Sequence, residues 1–441
     1  MENNTGVPEK MKTENTKSFQ KFLVIWVGQL ISCIGSGLTA FALAVYVYTL
    51  TGTAASVSLV TLCAFLPSVL LAPIGGVFAD RFDRRLMMIL GDLFSAAGLV
   101  YMLVVILNGE IVLWQICLGV SISSIFVALM EPAYKATVTD LLSVEQYARA
   151  SGMVQIAGSA KYLVSPVIAG LLLRIADIKL ILSIDIATFF ITISAALWVM
   201  RSLKNTVTKK QQQNFLQDMK EGLRTILTNK GVIVLILLIS IVTFFVGILQ
   251  TLLTPMMLNI ANASTLGTVL TLSSTGMLLG SMIIGIANIN KNYTNMVAIS
   301  LAVGGLFFAL MGVSTSTFFI TAAGFLFFTA LPFVNTGAEV LIRRSIPDDK
   351  QGRAWGLIGI ISQLGYIAAY ATAGLLADHV FTPLLMPDGR LASTLGRLIG
   401  TGSSRGMGFM FILSGIFVSV LAIFIFNSRP TRKLETVEIT A

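Results

Sequence analysis

Gly76-Val77-Phe78-Ala79-Asp80-Arg81-Phe82-Asp83-Arg84-Arg85 decides how the chain is read. An apolar run from Val57 to Pro73 precedes it, and another from Leu86 to Leu107 follows. Five charges fall within six positions, between two lengths that each suffice to cross a bilayer core of about 30 Å as a helix. The stretch is a short charged hinge between two membrane helices.

The rest of the chain agrees. Of 441 residues, 55% are apolar and only 12% charged, and the mean hydropathy is +0.86. A soluble globule carries about a quarter charged residues. Apolar runs of about 20 residues recur along almost the whole length, so the chain reads as a polytopic all-α membrane protein. Because the runs are continuous and not alternating, a β-barrel is excluded. The net charge of +9 is explained by topology, without nucleic acid as a partner. Cys33, Cys63 and Cys117 lie inside apolar runs and carry neither disulfide nor metal spacing. Residues 1–18 are polar, and no small-residue cleavage pattern follows the first apolar run, which is therefore expected to be a retained helix.

Twelve spans are expected, at 19–49, 55–78, 86–107, 111–134, 151–173, 178–200, 231–256, 265–289, 293–313, 317–340, 353–376 and 406–427. Two connections are longer than the rest. Residues 201–230 carry Arg201, Lys204, Lys209, Lys210, Lys220, Arg224 and Lys230, and residues 377–405 are rich in Gly, Pro and Ser. With the N-terminus inside, most of the 30 Lys and Arg residues fall on the cytoplasmic side; Arg174, Lys179, Arg390, Arg397 and Arg405 fall outside. The hinge and the 201–230 linker are then cytoplasmic, with the protein multi-pass in the cell membrane and both tails inside. The expected division is a tail at 1–18, a six-helix half at 19–200, the linker at 201–230, a second half at 231–428 and a tail at 429–441.

The halves repeat. A shift of 204 residues places Arg149, Gly152, Tyr162 and Gly170 on Arg353, Gly356, Tyr366 and Gly374, and Gly76 on Gly280. Two parallel halves joined by a linker are the plan of a secondary transporter with its site between them.

On these residues the chain resembles the major facilitator superfamily. Gly76 to Arg85 is similar to its helix-2/3 signature, Gly-x-Leu-Ala-Asp-Arg-x-Gly-Arg-Lys, with Phe78 in place of Leu and Asp83 in place of the second Gly. Ser165-Pro166-Val167-Ile168-Ala169-Gly170 resembles the antiporter motif of helix 5, carried here by Pro166 and Gly170. Ile25-Trp26-Val27-Gly28-Gln29-Leu30-Ile31-Ser32 and Gly91-Asp92 resemble the bacterial branch of macrolide-efflux and siderophore-export proteins. The resemblance covers about residues 19–428. It implies twelve helices in two pseudo-symmetric halves and a conformational latch on the cytoplasmic side, made of Gly76, Asp80, Arg81, Arg84 and Arg85 with the start of helix 11 near Gly352 and Arg353. From the residues alone, Asp80 either pairs locally with the arginines or lies against free N–H groups of helix 11.

Charges inside the spans cost on the order of 2.5–3.5 kcal/mol at a helix centre and are functional candidates by default. Lys161 lies roughly 15 Å deep at the helical rise. It either faces the interior in a working role or forms a structural ion pair with Asp92, Glu131 or Asp185. Asp92 and Asp185 are candidates for coupling to protons. Glu131 with Arg149, and Glu339 with Arg353, are expected to form one gate pair in each half. Helix 4 lacks the Arg of many drug/proton antiporters.

The superfamily lines its cavity with helices 1, 4, 7 and 10. Here those helices carry Gln29, Ser32, Ser36, Ser121, Ser124, Thr243, Gln250, Phe325, Phe328 and Asn335. Hydroxyls and amides scattered in an apolar cavity suit large amphipathic cargo, although small polar residues also serve close helix packing. Gly402-Ser403-Ser404-Arg405-Gly406 matches a hydrolase elbow, but it leads into a membrane helix and the single histidine is His379. There is no P-loop and no implied cofactor. The 201–230 stretch reads as a solvated linker, with anionic lipid the lesser reading. The expectation is a monomeric efflux transporter, not an enzyme, that exchanges a macrolide-like compound for protons. A small-metabolite or siderophore transporter and a non-transporting membrane partner or sensor subunit are the alternatives.

Overall fold

The computed structural model describes residues 9–109, 111–200, 215–287, 289 and 291–435. Both chain ends and the basic residues Arg201, Lys204, Lys209 and Lys210 of the linker lie outside them. The described regular elements are helical, and twelve helices are long and apolar enough to cross a membrane. They are α1 (Ser18–Thr51), α2 (Ala54–Arg81), α3 (Arg84–Asn108), α4 (Leu113–Leu141), α5 (Tyr147–Ile175) and α6 (Ile178–Val199) in the first half. The second half has α7 (Lys230–Leu258), α8 (Ala263–Ile286), α9 (Tyr293–Val313), α10 (Thr317–Ser345), α11 (Lys350–Leu385) and α12 (Ser403–Asn427). A further linker helix covers Phe215–Leu227.

Several helices outrun their apolar stretches: α2 continues to Arg81, α4 to Leu141 and α10 to Ser345. Hydropathy marks the thickness of the hydrocarbon, whereas the helical hydrogen-bond ladder continues into polar surroundings. α11 goes furthest beyond its expected end, through a π-turn at Ala377–Phe381.

The chain forms two compact units. One contains Met1–Leu43 with Cys63–Lys210, and the other contains Ala44–Leu62 with Gln211–Ala441. The terminal part of α1, the 52–53 turn and the first turns of α2 therefore pack with the second half of the chain.

Within each unit, helices meet where a side chain is missing. In the first, a Cβ on Gly75 of α2 would stand 2.8 Å from the Ala128 carbonyl oxygen of α4. One on Gly98 of α3 would stand 2.5 Å from the Gly119 carbonyl, and one on Gly37 of α1 would stand 2.8 Å from the Lys161 carbonyl of α5. In the second, Gly280 of α8 meets Thr329 and Pro332 of α10, Gly305 of α9 meets Gly415 of α12, and Gly247 of α7 meets Ala369 of α11. Membrane helices associate through such close backbone approach, because lipid tails are as apolar as leucine.

These seams correct the register of the repeat. Gly75 packs beside Pro132 as Gly280 packs beside Pro332, while a Cβ on Gly76 would meet nothing within 4 Å. Gly75, not Gly76, is the counterpart of Gly280. The 204-residue shift was set by helices 5 and 11, and the spacing to helices 2 and 8 differs from it by one.

The two neighbouring glycines therefore respond oppositely to substitution. Gly75→Val is expected to lower stability in detergent by about 1–3 kcal/mol through overpacking. Gly76→Ala is expected to hold or raise it, since alanine is the better helix former by about 0.5–1 kcal/mol. Thermal unfolding of the two purified variants reads this, and equal destabilisation contradicts the seam.

Candidate functional site

The hinge is shorter than the charge run suggests, because only Phe82 and Asp83 separate α2 from α3. Asp83, the departure from the signature, caps α3: its carboxylate accepts the Arg85 backbone N–H at 2.9 Å. Arg84 is the hub. Its Nε donates to the Ala79 carbonyl at 3.0 Å, and its guanidinium contacts Asp140 of α4 at 2.6 Å and Asp80 at 3.7 Å. So Asp80 pairs locally, across the hinge. Both carboxylates are largely exposed, and such pairs contribute at most about 1 kcal/mol. They orient the hinge more than they stabilise it. Phe78 and Phe82 stack edge-to-face beside it, with ring centroids 5.5 Å apart.

Deeper in the first unit, α6 presents a polar column. Asp185 is 1% exposed and Asp92 is 3% exposed. Asp185, Thr188 and Thr192 recur at helical spacing on one face. The Ser36 hydroxyl of α1 donates to Asp185 Oδ1 at 3.5 Å, and the Thr188 hydroxyl reaches the same oxygen at 3.3 Å. A Cβ on Gly35 would stand 2.7 Å from that oxygen, so glycine is what lets α1 approach the carboxyl. Thr192 stands at the other end of the column, and Asp92 on α3 is the second buried carboxyl. Thr188 also has a backbone alternative, the Asp185 carbonyl at 2.7 Å, while Thr192 donates to the Phe189 carbonyl at 2.8 Å. One hydroxyl proton serves one acceptor at a time, so Thr188 is a two-position rotor. Among the described residues, Asp92 Oδ1 has no hydrogen-bond partner.

α5 breaks at Val164, between Tyr147–Leu163 and Ser165–Ile175. Pro166 supplies no N–H and so leaves the Tyr162 carbonyl without its helical donor. Ser165 turns the break into a contact by donating to the Ile34 carbonyl of α1 at 2.9 Å. Pro166 and Gly170 are buried there. Lys161 stands half-buried one turn before the break. It is close enough for its charge to act on Asp185, but closes no salt bridge among the described residues.

Neither expected gate pair is among the described ion pairs. Glu131 pairs with Lys135 at 2.7 Å and Glu339 with Arg343 at 2.8 Å, each four residues on along its own exposed helix face. Arg149 lies over the Phe19 ring at 4.6 Å, and Arg353 pairs with Glu221 of the linker helix. A partner four residues away costs less ordering than one on another helix. Among the cavity candidates, Gln29 donates to Cys33 Sγ at 3.7 Å, Ser32 is buried, Phe328 packs edge-on to Phe327, and Asn335 is exposed. Thr243 donates to the Ser362 carbonyl of α11, and Gln250 accepts the Tyr370 hydroxyl of the same helix.

The strongest polar contact that sequence reasoning missed lies at the end of α11 away from the linker. The Asp378 carboxylate accepts both first amides of α2: Oδ1 from Ala54 N at 3.1 Å, and Oδ2 from Ala55 N at 2.7 Å. Ser58 donates to the Tyr370 carbonyl at 2.6 Å and accepts from Gly374 N at 3.3 Å. A Cβ on Gly374 would stand 2.5 Å from the Ala54 carbonyl. Asn259 donates to the Tyr48 hydroxyl at 2.6 Å beside them. A carboxylate at a helix N-terminus satisfies orphan N–H groups and gains up to about 2 kcal/mol when partly buried. The signal was present: Gly374-Leu375-Leu376-Ala377-Asp378 repeats the Gly-x-x-Ala-Asp of Gly76-Val77-Phe78-Ala79-Asp80. It was masked because Asp378 falls just past the apolar run.

Residues 25–370 match the model of the Major Facilitator Superfamily. Macrolide efflux protein A of Streptococcus pyogenes is 27% identical over 426 residues, covering 94% of this chain and 97% of that protein. The uncharacterised MFS-type transporter YfiS of Bacillus subtilis is 27% identical over 383 residues, covering 84% of this chain and 89% of its own. The crystal structure of the nucleoside transporter NupG superposes with a TM-score of 0.73 at 13% identity, over 93% of this chain and all of that one. A twelve-helix chain in two repeated halves, with a charged helix-2/3 hinge and this family match along most of its length, is a multi-pass membrane transporter and belongs to the Major Facilitator Superfamily.

Proposed function

We propose that the protein exports an amphipathic, macrolide-like compound across the cell membrane in exchange for protons, working as a monomer by alternating access. The macrolide efflux protein named above, similar along nearly its whole length, supports the cargo class. The positive-inside bias supports both tails, the hinge and the linker being cytoplasmic.

The observation that carries the exchange is the Asp185 column. A buried carboxyl held by the Ser36 and Thr188 hydroxyls can take up one proton and release it again. Lys161 biases the site by its charge. In the cycle, protonation from outside releases the cargo there, and deprotonation to the inside resets the carrier.

Two latches alternate in this scheme. Asp378, at the end of α11, holds the N-terminus of α2 and shuts the outer side. Asp80, at the end of α2, takes the equivalent place at the N-terminus of α11 near Gly352 and Arg353 when the outer latch has opened. Each helix thus carries at its C-terminal end an aspartate that caps the start of the other. Gln29, Ser32, Gln250, Phe328 and Asn335 remain the proposed cargo-facing set.

Four outcomes follow, the first three in proteoliposomes with an imposed pH gradient and the last in cells. Asp185→Asn should cut proton-linked efflux by about tenfold or more, a barrier change of about 1.4 kcal/mol, with melting temperature held. Thr188→Val should slow it less. A wild-type rate in Asp185→Asn contradicts the proton site. Asp378→Ala should slow efflux and make Ala55→Cys more reactive to an impermeant thiol reagent from outside; unchanged reactivity contradicts the outer latch. Cells lacking the gene should become more susceptible to macrolides, and unchanged susceptibility together with no drug-linked proton flux in vesicles contradicts export.

A further inference from the structure

The linker helix, Phe215–Leu227, has three distinct faces. Gly222 and Ile226 are buried, one turn apart on the first. That face packs on α11: a Cβ on Gly222 would stand 2.8 Å from the Arg353 carbonyl and 2.9 Å from Leu357. Glu221 pairs with Arg353 at its edge. About 100° around the helix lie Leu223 and Leu227, which are 42% and 60% exposed. A further step of about 60° reaches Lys220 and Arg224, both exposed. A helix bound only to protein needs one apolar stripe, and a solvated linker needs none. The second leucine stripe, bordered by bases, calls for an apolar surface with negative charge at its edge.

The position of the helix says which surface that is. Only Thr228 and Asn229 separate Leu227 from α7, and Asn229 caps that span by accepting Gly231 N at 3.0 Å. The three residue steps from Leu227 to Lys230 reach at most about 11 Å, so Leu227 is held near the mouth of a membrane span, beside the exposed Lys230.

We propose that the linker helix is an anionic-phospholipid site. Leu223 and Leu227 enter the boundary between headgroups and acyl chains, while Lys220, Arg224 and Lys230 hold the phosphates. The bound helix then keeps Glu221 on Arg353, so that the start of α11 is set by the lipid beneath it. The site does not depend on which cargo is carried.

The test uses the full-length protein in vesicles, with Cys33, Cys63 and Cys117 replaced and an environment-sensitive fluorophore on Leu227→Cys or, separately, on Leu223→Cys. Expected are an emission shifted to the blue at both positions and quenching several-fold stronger by brominated phosphatidylglycerol than by brominated phosphatidylcholine. The combined Lys220→Glu and Arg224→Glu variant should erase the difference between the lipids but keep the blue emission. Water-like emission at both positions leaves the face to a soluble partner and overturns the proposal. Equal quenching by the two lipids in the otherwise unaltered protein overturns the headgroup site.

Discussion

Inside a bilayer, apolar side chains gain nothing by leaving lipid for one another, so helices hold together only where their backbones come close enough for dense contact. The glycines at 37, 75, 98, 247, 280 and 305 supply that closeness, and a methyl group at any of them would meet a neighbour at short range. Everything else in the molecule is placed by those seams. Gly35 brings α1 onto Asp185, Gly374 brings the start of α2 onto α11, and Gly222 brings the linker helix onto Arg353. Each close approach therefore sits beside a polar contact that a looser crossing would leave out of reach.

The polar contacts are correspondingly few and pointed. Unpaired polar groups are costly in hydrocarbon, so a buried carboxyl gains from nearby hydroxyls and a helix start from an acceptor, although Asp92 Oδ1 goes without a partner among the described residues. Asp185 meets this demand with Ser36 and Thr188, and the first turn of α2 meets it with Asp378. The second of these accounts for the division of the chain, in which residues 44–62 pack with the second half although the rest of α1 and α2 packs with the first. A capped terminus is also open to exchange, since its bonds are electrostatic. The same five-residue pattern recurs at the ends of α2 and α11.

The fold was legible because hydrocarbon thickness imposes length and apolarity on each span; all twelve were readable, and their ends were misplaced most where helices continue into polar surroundings, while α8 stops at Ile286, short of the expected 289. The buried aspartates were legible for the same reason, being charges where charges are expensive. What could not be read were choices between partners. Glu131 and Glu339 are flanked by bases both near and far in sequence, and the nearer ones, Lys135 and Arg343, win because they are already fixed on the same helix. Gly75 and Gly76 differ only in which face they occupy, a matter settled by how α2 rotates against α4. Asp378 looked like a loop residue because α11 carries on through a π-turn beyond its apolar run.

The central claim is that the start of α2 is released from the end of α11 during each cycle. Spin labels on Leu50→Cys and Met386→Cys, both exposed beside the cap, report this as a distance distribution by pulsed electron–electron resonance in lipid nanodiscs. The account predicts two distances whose populations exchange when cargo is added or the pH is changed, with the longer one dominant in Asp378→Ala. A single distance, unmoved by cargo, pH or the loss of Asp378, would contradict it.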